Sequence, residues 1–184
     1  MRLVISDAHR GLVRAVDEML LGAAWQRCRV HFTRNAQALV PRSSASMVAT
    51  VIRSIFEQPG PMSGSEQLNR VAEGLAPRFP AVAELLQSAA VDLLAHFTFP
   101  AAHRRQIRST NPLERLNKEI KRRTSVVGIF PTRASLIRLV GTVLAEQDDE
   151  WQDGRRYFSP ESMALIDEDV IEDEEVNPNL LMAS

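Results

Sequence analysis

Two carboxylates, Asp7 and Glu114, stand where their neighbours could turn them to chemistry. Asp7 closes a short apolar run rich in β-branched residues, Leu3-Val4-Ile5-Ser6, and the carboxyl end of a buried strand is where open α/β sheets present their functional groups. Glu114 follows Asn111-Pro112-Leu113, a strong helix start in which proline takes the first helical position and Asn111 the cap. At about 100° per residue, Asn117, Lys118 and Lys121 share its flank, beside the apolar stripe of Leu113, Leu116 and Ile120. A carboxylate bordering a core amid positive charge suits a divalent cation held next to a phosphate. Each also has a local alternative. Asp7 can cap the next helix, and Glu114 occupies the capping-box position with Lys118 as its ion-pair partner one turn on.

Charge is segregated along the 184 residues, although the net charge is only -1. Residues 1–99 carry ten basic and eight acidic side chains, residues 100–142 ten and two, and residues 143–184 two and thirteen. The central excess exceeds what solubility needs and points to nucleic acid, with Arg108, Arg115, Lys118, Lys121, Arg122 and Arg123 as the phosphate-contacting candidates. Cys28 and His31 form a Cys-x-x-His pair, which His9 or His103 could extend to a zinc site. A structural zinc requires four ligands, usually two close pairs, and a lone cysteine makes a core thiol beside a hydrogen-bonded histidine the better reading. The single cysteine rules out an intrachain disulfide. No Gly-rich phosphate loop and no Gly-x-Ser-x-Gly elbow occurs, which leaves nucleotide hydrolysis and serine esterase chemistry without a basis. The amino terminus lacks the apolar region of a signal peptide, and Glu84, Gln87, Asp92 and His96 interrupt the most apolar stretch. A soluble cytoplasmic protein with no membrane partner and no small-molecule substrate is expected.

The elements that must position these residues read as strand, helix, strand, followed by an all-helical stretch. Leu12, Val16, Met19, Leu20 and Ala23 recur at helical spacing, and Arg27 to Phe32 alternates in period two, which predicts the second strand. After Pro41 three segments show helical periodicity, built on Met47 to Phe56, Leu68 to Leu75 and Val82 to Phe97. Pro59 and Pro61, then Pro77 and Pro80, separate them. Pro100 to Thr110 reads as a polar connector, the Glu114 helix runs to about Arg123, and a further helix runs from near Thr132 to near Trp151. The acidic run beyond is too charged to pack and reads as a disordered tail. The expected class is α/β, mainly helical, divided into 1–40, a helical insertion over 41–99, a second core segment over 100–151, and a carboxyl-terminal segment over 152–184.

Several spaced motifs together carry a resemblance. Ile5-Ser6-Asp7-Ala8-His9-Arg10-Gly11-Leu12, Cys28-x-x-His31 and Ser109-Thr110-Asn111-Pro112-Leu113-Glu114-Arg115-Leu116-Asn117 resemble the mutator-type transposases of bacterial insertion sequences. The likeness continues through Lys121-Arg122-Arg123-Thr124, Val127-Gly128-Ile129-Phe130-Pro131, Leu139-Val140 and Glu150-Trp151 to Tyr157. It implies a ribonuclease-H-like catalytic fold bearing an Asp-Asp-Glu triad, with a helical domain inserted before the glutamate. On this resemblance Asp7 matches the second aspartate and Glu114 the glutamate, both catalytic and metal-binding, while Cys28, His31 and Asn111 are family-motif residues.

The implied activity is metal-dependent DNA strand cleavage and strand transfer. Clustered carboxylates repel one another unless cations neutralise them, so Mg²⁺ or Mn²⁺ is the expected cofactor. The expected partners are double-stranded DNA at transposon ends and target site, and further copies of the chain in a synaptic complex. Two departures stand out. The family's first aspartate lies on an earlier strand, which this sequence lacks and for which Asp17, Glu18 and Asp92 are no substitutes, so a carboxyl-terminal part of a transposase is expected. Arg104 stands where the resemblance expects tryptophan. The competing reading is a non-catalytic DNA-binding or regulatory remnant that joins a full-length transposase.

Overall fold

A computed structural model describes residues 1–153 and 158–172. They form two compact units, one of residues 1–109 with 161–172 and the other of residues 110–160.

The first unit begins with strand β1 (Leu3–Ser6), helix α1 (Arg10–Met19) and strand β2 (Ala24–Arg27). The strands pair in parallel, Leu3 opposite Ala24 and Ser6 opposite Arg27, as a helical crossover requires. Among the described residues this is a two-stranded sheet. The second strand therefore lies three residues earlier than the period-two pattern suggests, and Arg29–Ala38 is a helix, α2. The helix wins because Cys28, Phe32 and Ala36, spaced by four, all reach the interior with no exposed surface.

The helical stretch follows with α3 (Arg42–Ile55), α4 (Pro61–Leu75), α5 (Pro80–Ser88) and α6 (Ala90–Leu94), then a 3₁₀ turn over Ala95–Thr98. Pro61 and Pro80 each sit at a helix start, where a missing N–H costs nothing. The third predicted segment is not one helix. It breaks at Ala89, whose φ of -105° and ψ of 6° leave the helical region. One core unites these elements with α2, built on Phe32, Val48, Ile52, Ile55, Leu68, Val82, Leu86 and Leu93. Gly64 in α4 permits a close approach, since a Cβ there would lie 2.7 Å from the Phe97 ring.

The predicted connector after Pro100 contains a helix, α7 (Ala101–Ile107), with Pro100 as its cap. Arg104 in it hydrogen-bonds the carbonyls of Phe99 (2.8 Å) and Pro59 (2.6 Å), and its guanidinium lies 5.6 Å from the Phe97 ring centroid. It thereby fastens α7 to the loop ahead of α4.

The second unit contains α8 (Asn111–Val127) and α9 (Arg133–Asp153). Helix α8 runs four residues further than expected and ends at Gly128, whose φ of +72° suits glycine. A last helix, α10 (Pro160–Glu172), includes Asp167-Glu168-Asp169, which the sequence reading assigned to a disordered tail. The remaining acidic residues, from Asp173 onward, and Tyr157 lie outside the described residues. Among the described residues no helix is long and apolar enough to cross a membrane.

Candidate functional site

The parallel pairing brings the residues that follow β1 and β2 to the same end of the sheet. Asp7 directly follows β1, and Cys28 directly follows β2. The Cys28 N–H donates to the Ser6 carbonyl at 2.7 Å, which locks the two strand ends together. Asp7 itself is exposed, but its backbone is braced. The buried Ser6 hydroxyl donates to the Asp7 carbonyl at 2.9 Å and accepts from the Trp25 indole at 2.8 Å. Ser6 and Trp25 carry no sequence signal for this positioning role, since neither has intrinsic metal or acid–base chemistry.

Cys28 caps α2 and His31 lies in its first turn, so the pair meets across helical spacing and not across a strand. The Cys28 thiol and a His31 ring nitrogen lie within 4.8 Å of one another. Neither His9 nor His103 joins them in a three-ligand group among the described residues. Cys28 is wholly buried and His31 half-buried.

A polar knot behind the sheet was also missed. Gln26 on β2 has no exposed surface. Its amide nitrogen donates to the carbonyls of Arg27 (2.8 Å) and Leu93 (3.0 Å), and its oxygen accepts the His96 backbone N–H at 2.7 Å. His96 Nδ1 faces two acceptors, Gln26 Oε1 at 3.2 Å and the Leu93 carbonyl at 3.1 Å, so the proton of the neutral ring belongs on Nδ1. Nε2 is buried without a hydrogen-bond partner. Burial above all, with the charges of Arg108, Arg104 and Arg29, lowers its pKa to about 4 despite the Leu93 hydrogen bond. The only sequence signal was polar residues within apolar patterns.

Glu114 belongs to the second unit, in the first turn of α8. Thr110, not Asn111, is the cap, a one-residue shift from the predicted start. The Glu114 N–H donates to the Thr110 carbonyl at 3.0 Å, and the Thr110 hydroxyl donates to the Glu114 carboxylate at 3.1 Å. Asn111 is the exposed first residue of the helix. The expected Glu114–Lys118 ion pair does not form among the described residues.

The basic candidates divide by circumstance. Arg115, Lys118 and Lys121 are exposed and make no ion pair among the described residues. Arg122 and Arg123 converge on Glu119 at 2.6 and 2.7 Å, and Arg123 also approaches Glu146 at 3.6 Å. Hydrogen bonds from Arg122 first, then Arg123, hold the Glu119 carboxyl down at about 2. Arg108, in the first unit, donates to the Phe56 carbonyl at 2.6 Å, while its own carbonyl accepts the Arg29 N–H at 3.0 Å. That places it as a tie between the end of α7, the start of α2 and the end of α3. Glu18 is paired with Arg14 at 2.6 Å. Asp92 is half-buried, its pKa raised by burial against the opposing pull of Arg27.

The sequence model of the family described as Transposase, Mutator family, matches residues 1–154, and the chain belongs to that family. It is similar to the transposase for insertion sequence element IS1081 of Mycobacterium tuberculosis, 55% identical over 159 residues that cover 86% of this chain and 38% of that protein. The transposase for insertion sequence element IS406 of Burkholderia multivorans is 42% identical over 158 residues, covering 85% and 41%. That for IS256 in transposon Tn4001 of Staphylococcus aureus is 34% identical over 160 residues, also covering 85% and 41%. The chain thus spans 38–41% of the length of these relatives.

Proposed function

We propose that this chain carries part of the catalytic apparatus of an Asp-Asp-Glu transposase, a partial ribonuclease-H-like core that acts in the cytoplasm on double-stranded DNA. The reaction is strand cleavage and strand transfer at the ends of an insertion sequence, within a synaptic complex of several copies. The observation that carries the reading is the setting of Asp7, an exposed carboxylate at the carboxyl end of a parallel strand pair, on backbone fixed by Ser6 and Trp25. Asp7 and Glu114 offer hard oxygen donors, the type Mg²⁺ and Mn²⁺ prefer. When bound, such a cation supplies charge stabilisation at the phosphoryl and leaving oxygens. The chain's own part is positional. The Ser6 hydroxyl holds the Asp7 backbone, the Thr110 hydroxyl orients the Glu114 carboxylate, and Arg115, Lys118 and Lys121 take phosphates.

Mn²⁺ titration and DNA binding of the full chain test the reading. Asp7→Asn and Glu114→Gln are each expected to weaken Mn²⁺ binding by at least about tenfold while leaving metal-free DNA affinity in place. Lys118→Ala with Lys121→Ala is expected to do the reverse. Metal binding indifferent to both carboxylates would refute the assignment. Among the described residues the two strands pair only with each other, which favours one alternative, a non-catalytic module that binds DNA and pairs with a full-length transposase. Under it, DNA affinity survives every carboxylate substitution and no metal binds.

A further inference from the structure

The first ninety-nine residues carry nearly balanced charge, yet the fold gathers three of their arginines into one cleft. A cleft of about 240 Å³ is lined by Arg29, Thr33, Arg34 and Gln37 from α2, and by Ala49 and Arg53 from α3. No carboxylate lines the cleft. Among the described residues none of the three guanidinium groups has a hydrogen bond or ion pair. Among the carboxylates of the described residues, Glu57 is the one whose field reaches Arg29.

Arg29 is half-buried, with its guanidinium 5.9 Å from the Phe56 ring centroid, so it cannot swing fully into solvent. Burial and then the nearby charge of Arg53 both disfavour its charged form. The neighbouring polar groups do not relieve this, since the Thr33 hydroxyl donates to the Arg29 carbonyl at 2.9 Å and the Gln37 amide donates to the Ala45 carbonyl at 3.2 Å. Fifteen N–H donors on three planar forks, with no carboxylate in the lining, form a cleft complementary to a multidentate oxyanion.

We propose that this α2–α3 cleft is a phosphate-binding site for the backbone of duplex DNA, separate from the basic face of α8. The inference rests on the DNA-directed reading above for its choice of ligand. The cleft is open, holds no aromatic side chain for a base to stack on, and presents three cationic forks, which suits a contact to the phosphate backbone.

Fluorescence anisotropy of the full chain with a labelled duplex, repeated over a salt series, tests it. Arg34 and Arg53 are exposed and their side chains make no hydrogen bond or ion pair among the described residues, so Arg34→Ala with Arg53→Ala is expected to keep the fold. The double variant is expected to weaken binding roughly tenfold and to reduce the slope of log affinity against log salt by about two. The loss is expected to be equal on unrelated duplex sequences. Arg34→Lys with Arg53→Lys is expected to restore most of the slope, and Arg70→Ala, on α4 beside Glu66, to leave it unchanged. Unaltered affinity and slope in the alanine double variant, with wild-type binding intact, would overturn this site alone. Absence of wild-type DNA binding would overturn the DNA-directed reading and this inference with it.

Discussion

Lowering the pH from neutral should weaken the first unit through His96. In the unfolded chain this ring protonates near its ordinary 6.5, whereas in the fold its pKa is about 4. Between those values the unfolded chain binds more protons, so stability falls as pH falls from about 6.5 to about 4 and is fully retained above. The difference corresponds to about 3 kcal/mol at the lower end. Physically, protonation puts a charge among Phe56, Phe97 and three arginines, and it gives Nε2 a proton for which no buried acceptor exists. Two carboxyls act at the acid end of the window. Glu119 loses its contribution only as pH falls below its ordinary 4.5 toward about 2, and Asp92, raised by burial, opposes the trend at the acid end. Urea unfolding followed by circular dichroism from about pH 7 to about pH 4.5 measures the slope. His96→Phe keeps a ring in place and should be less stable at neutral pH but flatter across the window. Equal pH slopes in the two proteins, or a His96 resonance that titrates above pH 6, would refute the argument.

Gln26→Leu keeps much of the volume but strands the buried His96 N–H, and unfolding experiments should register a loss of about 2–4 kcal/mol. Gly64→Ala should gain about 1 kcal/mol of helix propensity and lose more, about 1–3 kcal/mol, to the contact at 2.7 Å with Phe97, so the melting temperature should drop by a few degrees. Glu119→Gln releases Arg122 and Arg123 and should tighten DNA binding with a steeper salt slope, read by the same anisotropy titration. Ser6→Ala removes the hydroxyl that braces Asp7 and accepts from the Trp25 indole, and should lower Mn²⁺ affinity several-fold together with a fall of a few degrees in melting temperature.

The order of elements up to the first helix, the helical stretch after Pro41, and the two helices flanking Gly128 were legible because apolar spacing and prolines speak locally. The second strand was misplaced for a physical reason. Arg27 to Phe32 alternates like a strand, while the longer stripe Cys28, Phe32, Ala36 belongs to a helix, and only packing against α3 decides between them. Helix α7 was hidden by its arginines, although His103 and Ile107 already stand four apart and His103 is buried. At the candidate site, the residues with evident chemistry were readable one by one. Their support was not, because Ser6 with Trp25 and Gln26 with His96 are partnerships across 19 and 70 positions that no local pattern encodes. Likewise, the cations of α8 could be counted from the sequence, but their partial neutralisation by Glu119 required the side-chain geometry.

Among the described residues each β-strand pairs along one side only. A strand added beside Leu3–Ser6 would stiffen the segment that leads into Asp7. Any chain that supplied a complementary strand there would therefore act on the backbone that carries the Asp7 carboxylate, and in its absence concentrated protein would be drawn into stacking edge against edge.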